Sequence, residues 1–174
     1  MDVLTAEQRR FNMSRVRSSD TRPEMIVRRS LHAAGFRYRL HVKALPGQPD
    51  LVLPARNAVV FVHGCFWHGH HCRSTKLPAT RPEFWADKID GNRARDQRSA
   101  ESLLKAGWRV FTIWECALRG PRRRHHQEML EAVSTWLRSD VREGVFSGSA
   151  SVRGDPARVV DADSEWVSRS GDTA

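Results

Sequence analysis

Hydrophobic and polar residues follow each other in the first part of the chain in patterns that predict a helix and then a strand. Over residues 20–35 the apolar positions can form one helical stripe, and Thr21 and Glu24 have the spacing of a helix capping box. Gly35 ends this pattern, as glycine commonly does at the end of a helix. Over residues 36–43 apolar and polar residues alternate, which predicts a half-buried strand.

Two short apolar runs in the middle of the chain predict a hairpin. Residues 51–53 and 58–62 are apolar, and a short turn separates them. Asp50 directly precedes the first run, and His63 directly follows the second. Because the strands of a hairpin run antiparallel, the start of one meets the end of the other. We therefore expect Asp50 and His63 to lie close together.

The following part of the chain predicts two more helices and one more strand. A charged helix is expected over residues 81–106, a strand over residues 108–114 and a last helix over residues 122–138. Helices that alternate with strands around a hairpin favour a three-layer α/β or α+β domain with a mixed sheet.

Composition separates a basic body from the C-terminal end. Lys and Arg outnumber Asp and Glu by 29 to 20, a net charge of +9, yet residues 140–174 contain four basic and seven acidic residues. From Ser147 onward large apolar residues are few, which is typical of a flexible segment. A chain of 174 residues suits a single domain. We assign that domain to residues 21–139 and a flexible tail to residues 140–174.

Charge and hydropathy also narrow the function classes. A basic body favours binding to nucleic acid, although a solvated arginine-rich surface is the alternative. The sequence has no run of eighteen apolar residues, and its N-terminus is polar rather than signal-like. We therefore expect a cytoplasmic protein that does not bind a membrane.

Residues 63–72 contain four of the eight histidines and two of the three cysteines. Thiolate and imidazole are the ligands of structural zinc sites, which are closed because no position remains for water or substrate. The candidate ligands are Cys65, Cys72, Cys116 and either His70 or His71. The alternative is a set of reduced, buried cysteines beside exposed histidines.

Several other polar residues could supply hydrolytic chemistry. Asp50 at a strand edge suits magnesium, with Glu24 as a further carboxylate, but an Asp that follows a proline is often only a turn residue. His63 and His68 can move protons near neutral pH. Asp96 can orient one imidazole or can be an ordinary charge on a helix surface.

Three large aromatic residues, Phe66, Trp67 and Trp85, lie within or soon after the Cys/His-rich segment. Packing in the core is the first explanation for such rings. In a basic protein, adjacent aromatics on a metal-braced loop can instead insert between base pairs and unstack them.

Four segments together are specific enough to indicate a family. They are Pro46-Gly-Gln-Pro-Asp50, Phe61-Val-His-Gly-Cys-Phe-Trp-His68, Pro78-Ala-Thr-Arg81 with Phe84-Trp85, and Trp108-Arg-Val through Trp114-Glu-Cys-Ala-Leu-Arg-Gly120. From about Asn12 to Leu137 the chain resembles the very short patch repair (Vsr) DNA mismatch endonucleases. The resemblance implies a three-layer restriction-endonuclease-like α/β fold with a central mixed β-sheet flanked by helices, plus a structural zinc site.

The resemblance also implies a reaction: Mg²⁺-dependent nicking of one strand of double-stranded DNA, 5′ of the thymine in T:G mismatches that arise when 5-methylcytosine is deaminated. Asp50 and the main-chain carbonyl of Val62 would bind Mg²⁺. His68 would be the general base, oriented by Asp96, and Glu24 would organise metal-bound water.

Further roles follow from the same resemblance. His63 would occupy the place of the lysine of many restriction enzymes, and residues 1–20 would form an arm that contacts DNA. The zinc ligands would be Cys65, His70, Cys72 and Cys116. The intercalating wedge would be Phe66, Trp67 and Trp85. The protein would act as a monomer, with mismatch-repair proteins as further partners.

This sequence departs from the family pattern at two places. Val62 stands where the family often has Thr, which a ligand acting through its carbonyl oxygen tolerates. Gly69 interrupts a run of histidines without removing a proposed ligand or base.

Two other functions compete with mismatch nicking. One is a restriction-type endonuclease of the same fold that cuts paired DNA. The other is a zinc-braced DNA-binding protein without catalysis, against which the combination of Asp50, His63 and His68 argues.

Overall fold

A computed structural model of the chain describes residues 19–72, 77–121 and 123–148, together with Thr5, Glu7, Gln8, Phe11 and Arg15. Most of the DNA-contacting arm predicted over residues 1–20, and the end of the predicted tail beyond residue 148, lie outside the described residues. None of the helices in this described part has the length and apolar character needed to cross a membrane.

One mixed sheet of five strands organises the described residues, with the strands in chain order across the sheet. The strands are β1 (Arg39–Leu40), β2 (Leu51–Leu53), β3 (Ala58–His63), β4 (Arg109–Trp114) and β5 (Glu143–Phe146). The first three strands pair antiparallel, and the last three pair parallel. The helices are α1 (Arg22–Ala33), α2 (Pro82–Lys105), α3 (Glu115–Leu118) and α4 (His126–Arg138), and a 3-10 turn spans Pro54–Arg56.

Two hydrophobic clusters cover the two faces of the sheet and make the domain three-layered. On one face α1, α3 and α4 pack against the strands through buried side chains such as Leu31, Leu118 and Trp136. On the other face α2 packs through Leu103 against Val59 and its strand neighbours. The predicted three-layer α/β fold with a central mixed sheet is confirmed.

The start of α1 confirms the capping prediction. The Thr21 hydroxyl accepts a hydrogen bond from the Glu24 main-chain N–H at 3.4 Å, and the Glu24 carboxylate accepts one from the Thr21 N–H at 3.3 Å. These contacts occupy two N–H groups that a helix start otherwise leaves unpaired. The capping box also fixes Glu24 in the first turn, where its side chain is buried.

Two predicted boundaries are wrong. The strand predicted over residues 36–43 pairs only at Arg39–Leu40, because His41 turns the backbone into the left-handed region with φ +45°. The last helix begins at His126 rather than at residue 122, because His125 and Glu128 form its capping box after a turn in which the Arg123 N–H bonds the Gly120 carbonyl.

The flexible tail predicted from residue 140 begins too early. Residues 143–146 form β5, which pairs in parallel with β4 and places Phe146 in the core. Gly144 permits this pairing, since a Cβ there would lie 2.4 Å from the Phe111 ring. The fold therefore includes at least Gly148, whose N–H donates to the Cys116 sulfur at 3.4 Å.

Truncation of Phe146 tests whether β5 belongs to the stable fold. Phe146 is 1% exposed, so Phe146→Ala should lower the free energy of unfolding by about 3–5 kcal/mol, through lost burial and the cavity left behind. Val145, on the same strand, is 43% exposed, so Val145→Ala should change it by about 0.5 kcal/mol or less. Urea unfolding of both variants gives the comparison. Equal, small effects would mean that β5 does not contribute to the folded domain.

Candidate functional site

The pairing of β2 with β3 brings Asp50 beside the end of β3. Leu51 is opposite Val60, so Asp50, one residue earlier, lies next to the last residues of β3. There the Asp50 Oδ2 accepts a hydrogen bond from the Val62 main-chain N–H at 2.7 Å. The hairpin pattern predicted this proximity correctly, and Asp50 is more than a turn residue.

A cleft of about 790 Å³ opens at this end of the sheet. Its walls bring together residues that are far apart in the sequence. They include His41, Asp50, Val62, His63, His68 and Asp96. A second open groove of about 520 Å³ shares His68 and Asp96 with it and continues along α2 past Arg95 and Arg98. The cleft therefore continues into a groove with basic residues on its wall.

His68 is held at the cleft by Asp96 on α2. Its Nδ1 lies 2.6 Å from the Asp96 Oδ2. Because an ionised carboxylate can only accept, Nδ1 carries the proton, and in the neutral ring Nε2 is left as an acceptor. The ring also stacks on His63, with centroids 3.9 Å apart and planes within 4°. Asp96 thus contacts an imidazole at the cleft instead of serving only as a surface charge.

His63 differs from the expected proton carrier. Its pKa is lowered to about 3, mainly by burial of the ring and also by the neighbouring His68, while Asp96 partly opposes both effects. His63 is therefore neutral at pH 7 and does not titrate near neutrality. Its ring also meets Trp114 of β4 edge-on, at a centroid distance of 5.4 Å. His63 is therefore a neutral, packed ring.

Asp50 carries a charge in an unfavourable position. Its pKa is raised to about 6, because burial outweighs the opposing hydrogen bond from Val62. The nearby Glu24 carboxylate contributes to the rise, while His41 and Arg28 oppose it. At pH 7 the carboxylate is mostly ionised, but the surrounding groups do not fully compensate its negative charge. A cation beside Asp50 would supply that compensation.

Glu24 lies near Asp50 within a buried ionic cluster that the sequence did not reveal. Glu24 is 1% and Arg28 is 7% exposed, and the Arg28 Nη2 donates to the Glu24 Oε1. The Arg28 Nη1 donates to the Asp20 Oδ1 at 2.5 Å. His41 Nε2 lies 2.7 Å from the Arg28 Nη2, and its Nδ1 lies 3.9 Å from the Asp50 Oδ1. The four-residue spacing of Glu24 and Arg28 in a predicted helix is typical of an ion pair and could have indicated this contact. The alternating pattern of residues 36–43, however, made His41 look like an exposed strand residue.

The three cysteines and one histidine converge closely enough to hold one metal ion. One ligand atom from each of four residues lies within 4.8 Å of the others, and the residues are Cys65, His70, Cys72 and Cys116. The Cys116 N–H donates to the Cys65 sulfur at 3.3 Å. His71 is exposed and outside this set, so the geometry selects His70 between the two candidates.

This cluster fits a metal ion chemically as well as geometrically. Burial raises the pKa of the Cys65 and Cys116 thiols, so without a cation both remain protonated. Binding of a soft or borderline cation favours the thiolate form and provides the missing charge. The cluster joins the loop after β3 to α3 and to the residues just after β5. A metal here would therefore stabilise the fold.

Phe66, Trp67 and Trp85 form a separate aromatic cluster near the surface. Their rings meet edge to face at centroid distances of 5.1 to 6.0 Å. All three are half-buried, and neither of the two hydrophobic clusters on the sheet includes them. The Lys88 ammonium lies 5.7 Å from the Trp67 ring centroid. Packing in the sheet core therefore does not account for these rings.

Gly69, a departure from the family pattern, is explained by local geometry. Its backbone is left-handed with φ +62°, and a Cβ there would lie 2.6 Å from the Arg93 Cδ. Only glycine combines this conformation with such a close approach to α2. The glycine lets the loop pass against the helix between His68 and His70.

Comparisons with known proteins show the family of this chain. The profile of the family described as DNA mismatch endonuclease Vsr matches residues 1–74. The chain is 41% identical over 136 residues to the DNA mismatch endonuclease Vsr of Escherichia coli, which covers 78% of this chain and 87% of that protein. It is 56% identical over 117 residues to the type II nicking enzyme V.XorIIP of Xanthomonas oryzae pv. oryzae, which covers 67% of this chain and 86% of that protein. The chain therefore belongs to the Vsr family of DNA mismatch endonucleases and is a DNA endonuclease with the restriction-endonuclease-like fold of that family.

Proposed function

We propose that this endonuclease nicks one strand of duplex DNA 5′ of the thymine in a T:G mismatch, in a Mg²⁺-dependent hydrolysis. The observation that carries the proposal is the meeting of two groups in one cleft: the ionised Asp50 and the His68–Asp96 pair. The first suits a hard divalent cation, and the second suits proton transfer. Names of relatives support cutting of one strand, since one is a DNA mismatch endonuclease and another a nicking enzyme.

Asp50 and the main-chain carbonyl of Val62 would hold the magnesium ion. The half-buried Asp50 carboxylate, with its pKa raised to about 6, fits such an ion because it lacks a full counter-charge. When bound, the ion stabilises negative charge that develops on the scissile phosphate. Glu24, already fixed by its capping box and by Arg28, would accept a hydrogen bond from metal-bound water.

His68 would act as the general base. Asp96 fixes the ring through Nδ1, so Nε2 can take the proton of the attacking water. The same carboxylate stabilises the imidazolium that results. His63 holds the His68 ring from the other side by stacking and stays neutral. All of these groups come from one chain, so a monomer suffices to cut one strand.

The aromatic cluster would recognise the mismatch. Phe66, Trp67 and Trp85 would insert beside a T:G pair, where unstacking requires less free energy than in paired DNA. The basic body, including Arg95 and Arg98 along the second groove, would bind the phosphates. The N-terminal arm, residues 1–20, would add contacts to DNA.

A nicking assay tests the proposed function. With Mg²⁺, the protein should cut the thymine strand of a duplex with one T:G mismatch and leave the T:A duplex of the same sequence intact. Trp67→Ala should fold normally but lose most of this preference, because the wedge is incomplete. Denaturing gels of strands labelled in turn show which strand is cut. Equal cutting of both strands of the T:A duplex would instead establish a restriction-type endonuclease.

The raised pKa of Asp50 predicts a pH-dependent stability. Between about pH 4 and 6 the carboxyl ionises in the unfolded chain before it does so in the folded one, so its contribution to stability falls as pH rises through this window. At pH 7, without added Mg²⁺, Asp50→Asn should therefore raise the free energy of unfolding by up to about 3 kcal/mol. The asparagine can still accept the Val62 hydrogen bond.

Denaturant unfolding at pH 4 and pH 7, in buffer free of chelators, measures this effect. The increase in the free energy of unfolding of Asp50→Asn over the wild type should be close to zero at pH 4. Nicking by this variant should be lost at every pH. Asp87→Asn, at an exposed position of α2, is the matched control and should change stability little at either pH. An unchanged or lowered stability of Asp50→Asn at pH 7 would contradict the unfavourable burial of this carboxylate.

Loss of one thiol tests the structural zinc proposal. Cys116→Ser should lower the zinc content well below one ion per chain and lower the melting temperature, because the metal contributes folding free energy. His71→Ala should keep the zinc content and the melting temperature of the wild type, since His71 lies outside the ligand cluster. Metal analysis and thermal unfolding on the purified proteins give both values. Full zinc content in Cys116→Ser, or zinc loss in His71→Ala, would refute the proposed ligand set.

A further inference from the structure

The buried Arg28 side chain lies next to the cleft and contacts polar side chains on several sides. The Arg28 guanidinium donates to Asp20 and to Glu24, and it lies 2.7 Å from the His41 Nε2. The same Nε2 lies 3.0 Å from the Glu24 Oε1, so the Arg28–Glu24 pair holds His41 through this nitrogen. The other ring nitrogen, Nδ1, faces the Asp50 Oδ1 at 3.9 Å.

The backbone at His41 has a conformation that residues with a side chain rarely adopt. His41 has φ +45°, a left-handed value that is unfavourable for residues with a side chain, at about 1–2 kcal/mol. Three residues earlier, the Tyr38 hydroxyl donates to the Arg28 main-chain carbonyl at 2.9 Å and ties this segment to α1. Strained residues that the surroundings hold in place concentrate at functional sites.

We propose that His41 is a positioning residue for Asp50: the Arg28–Glu24 pair holds its Nε2, and its Nδ1 donates to the Asp50 carboxylate and limits it to the orientation that binds the metal ion. The inference rests on the proposed function, because it assigns the catalytic Mg²⁺ to Asp50. His41 does not touch the reacting atoms in this arrangement. It links the paired Glu24–Arg28 unit on α1 to the carboxylate on the hairpin.

In this geometry His41 restrains the rotation of the Asp50 carboxylate. The Asp50 Oδ2 is already fixed by the Val62 N–H, so rotation of the carboxylate is restrained on one side only. An Nδ1–H on the Oδ1 side restrains the other, and a shortening of the 3.9 Å separation when the carboxylate binds a cation would complete the hydrogen bond. Groups that orient a metal ligand in this way commonly change metal affinity by about 10- to 100-fold when they are removed.

The test compares Mg²⁺ binding and nicking in position-41 variants of the full chain with zinc bound. His41→Ala should weaken Mg²⁺ binding, measured by isothermal titration calorimetry, about tenfold or more. It should lower kcat for nicking of T:G duplex at a fixed subsaturating Mg²⁺ concentration, with KM for DNA unchanged. His41→Gln should recover most of the Mg²⁺ affinity, because its amide can accept from Arg28 and donate to Asp50. His32→Ala, which removes an exposed histidine from α1, should match the wild type.

Each outcome decides the proposal. Wild-type Mg²⁺ affinity in His41→Ala overturns it, and so does a Gln variant that folds normally but binds Mg²⁺ as weakly as the Ala variant. Weaker binding of DNA without metal, in step with the loss of nicking, also overturns it, because His41 would then contact DNA. If the wild type binds Mg²⁺ but leaves T:G duplex intact, the proposed function fails while the calorimetric comparison still decides the role of His41.

Discussion

The hydrogen bond from the Val62 main chain to Asp50 is the contact on which the cleft depends. It forms because Asp50 stands one residue before β2 and Val62 one residue before the end of β3, and the two strands pair antiparallel. A shift of the pairing by one residue would turn every side chain of β2 to the opposite face. The buried apolar residues of both strands therefore fix the register and, with it, the position of the carboxylate.

The loop after β3 reaches its position through attachments to the rest of the domain. Asp96 holds His68, and the Asn92 side chain donates to the Trp67 carbonyl at 2.8 Å, so α2 fixes the loop at two neighbouring residues. On the other side the cysteine cluster joins the loop to Cys116 after β4. A loop with so few buried apolar side chains needs such contacts, because they replace the packing that holds a strand or helix. His68 and Trp67, to which the proposed function assigns roles, thus lie in a loop that α2 and the cysteine cluster hold in place.

Local spacing in the sequence predicted the elements whose causes are local. The capping box at Thr21 and Glu24 depends on neighbours three residues apart, and the Cys65 to Cys72 part of the Cys/His cluster on neighbours within seven; both are present in the structure. β5 could not be predicted in this way, because four residues carry almost no pattern and their pairing with β4 is a long-range contact. The contact of Arg28 with His41 was also hidden, since it depends on a left-handed backbone at a position where alternation indicates a strand.

The charges around the cleft support the proposal that Asp50 holds a cation. Glu24 is compensated by Arg28, and Asp96 by the hydrogen bond to His68, whereas the nearest ring nitrogen to Asp50 is 3.9 Å away. Burial without a close counter-charge makes the ionised Asp50 unfavourable in the metal-free fold. The lack of a close counter-charge favours a bound cation, because the ion supplies the positive charge that the neighbouring side chains do not. Selection for stability alone would favour an uncharged residue at position 50, so the carboxylate there supports the proposed metal site.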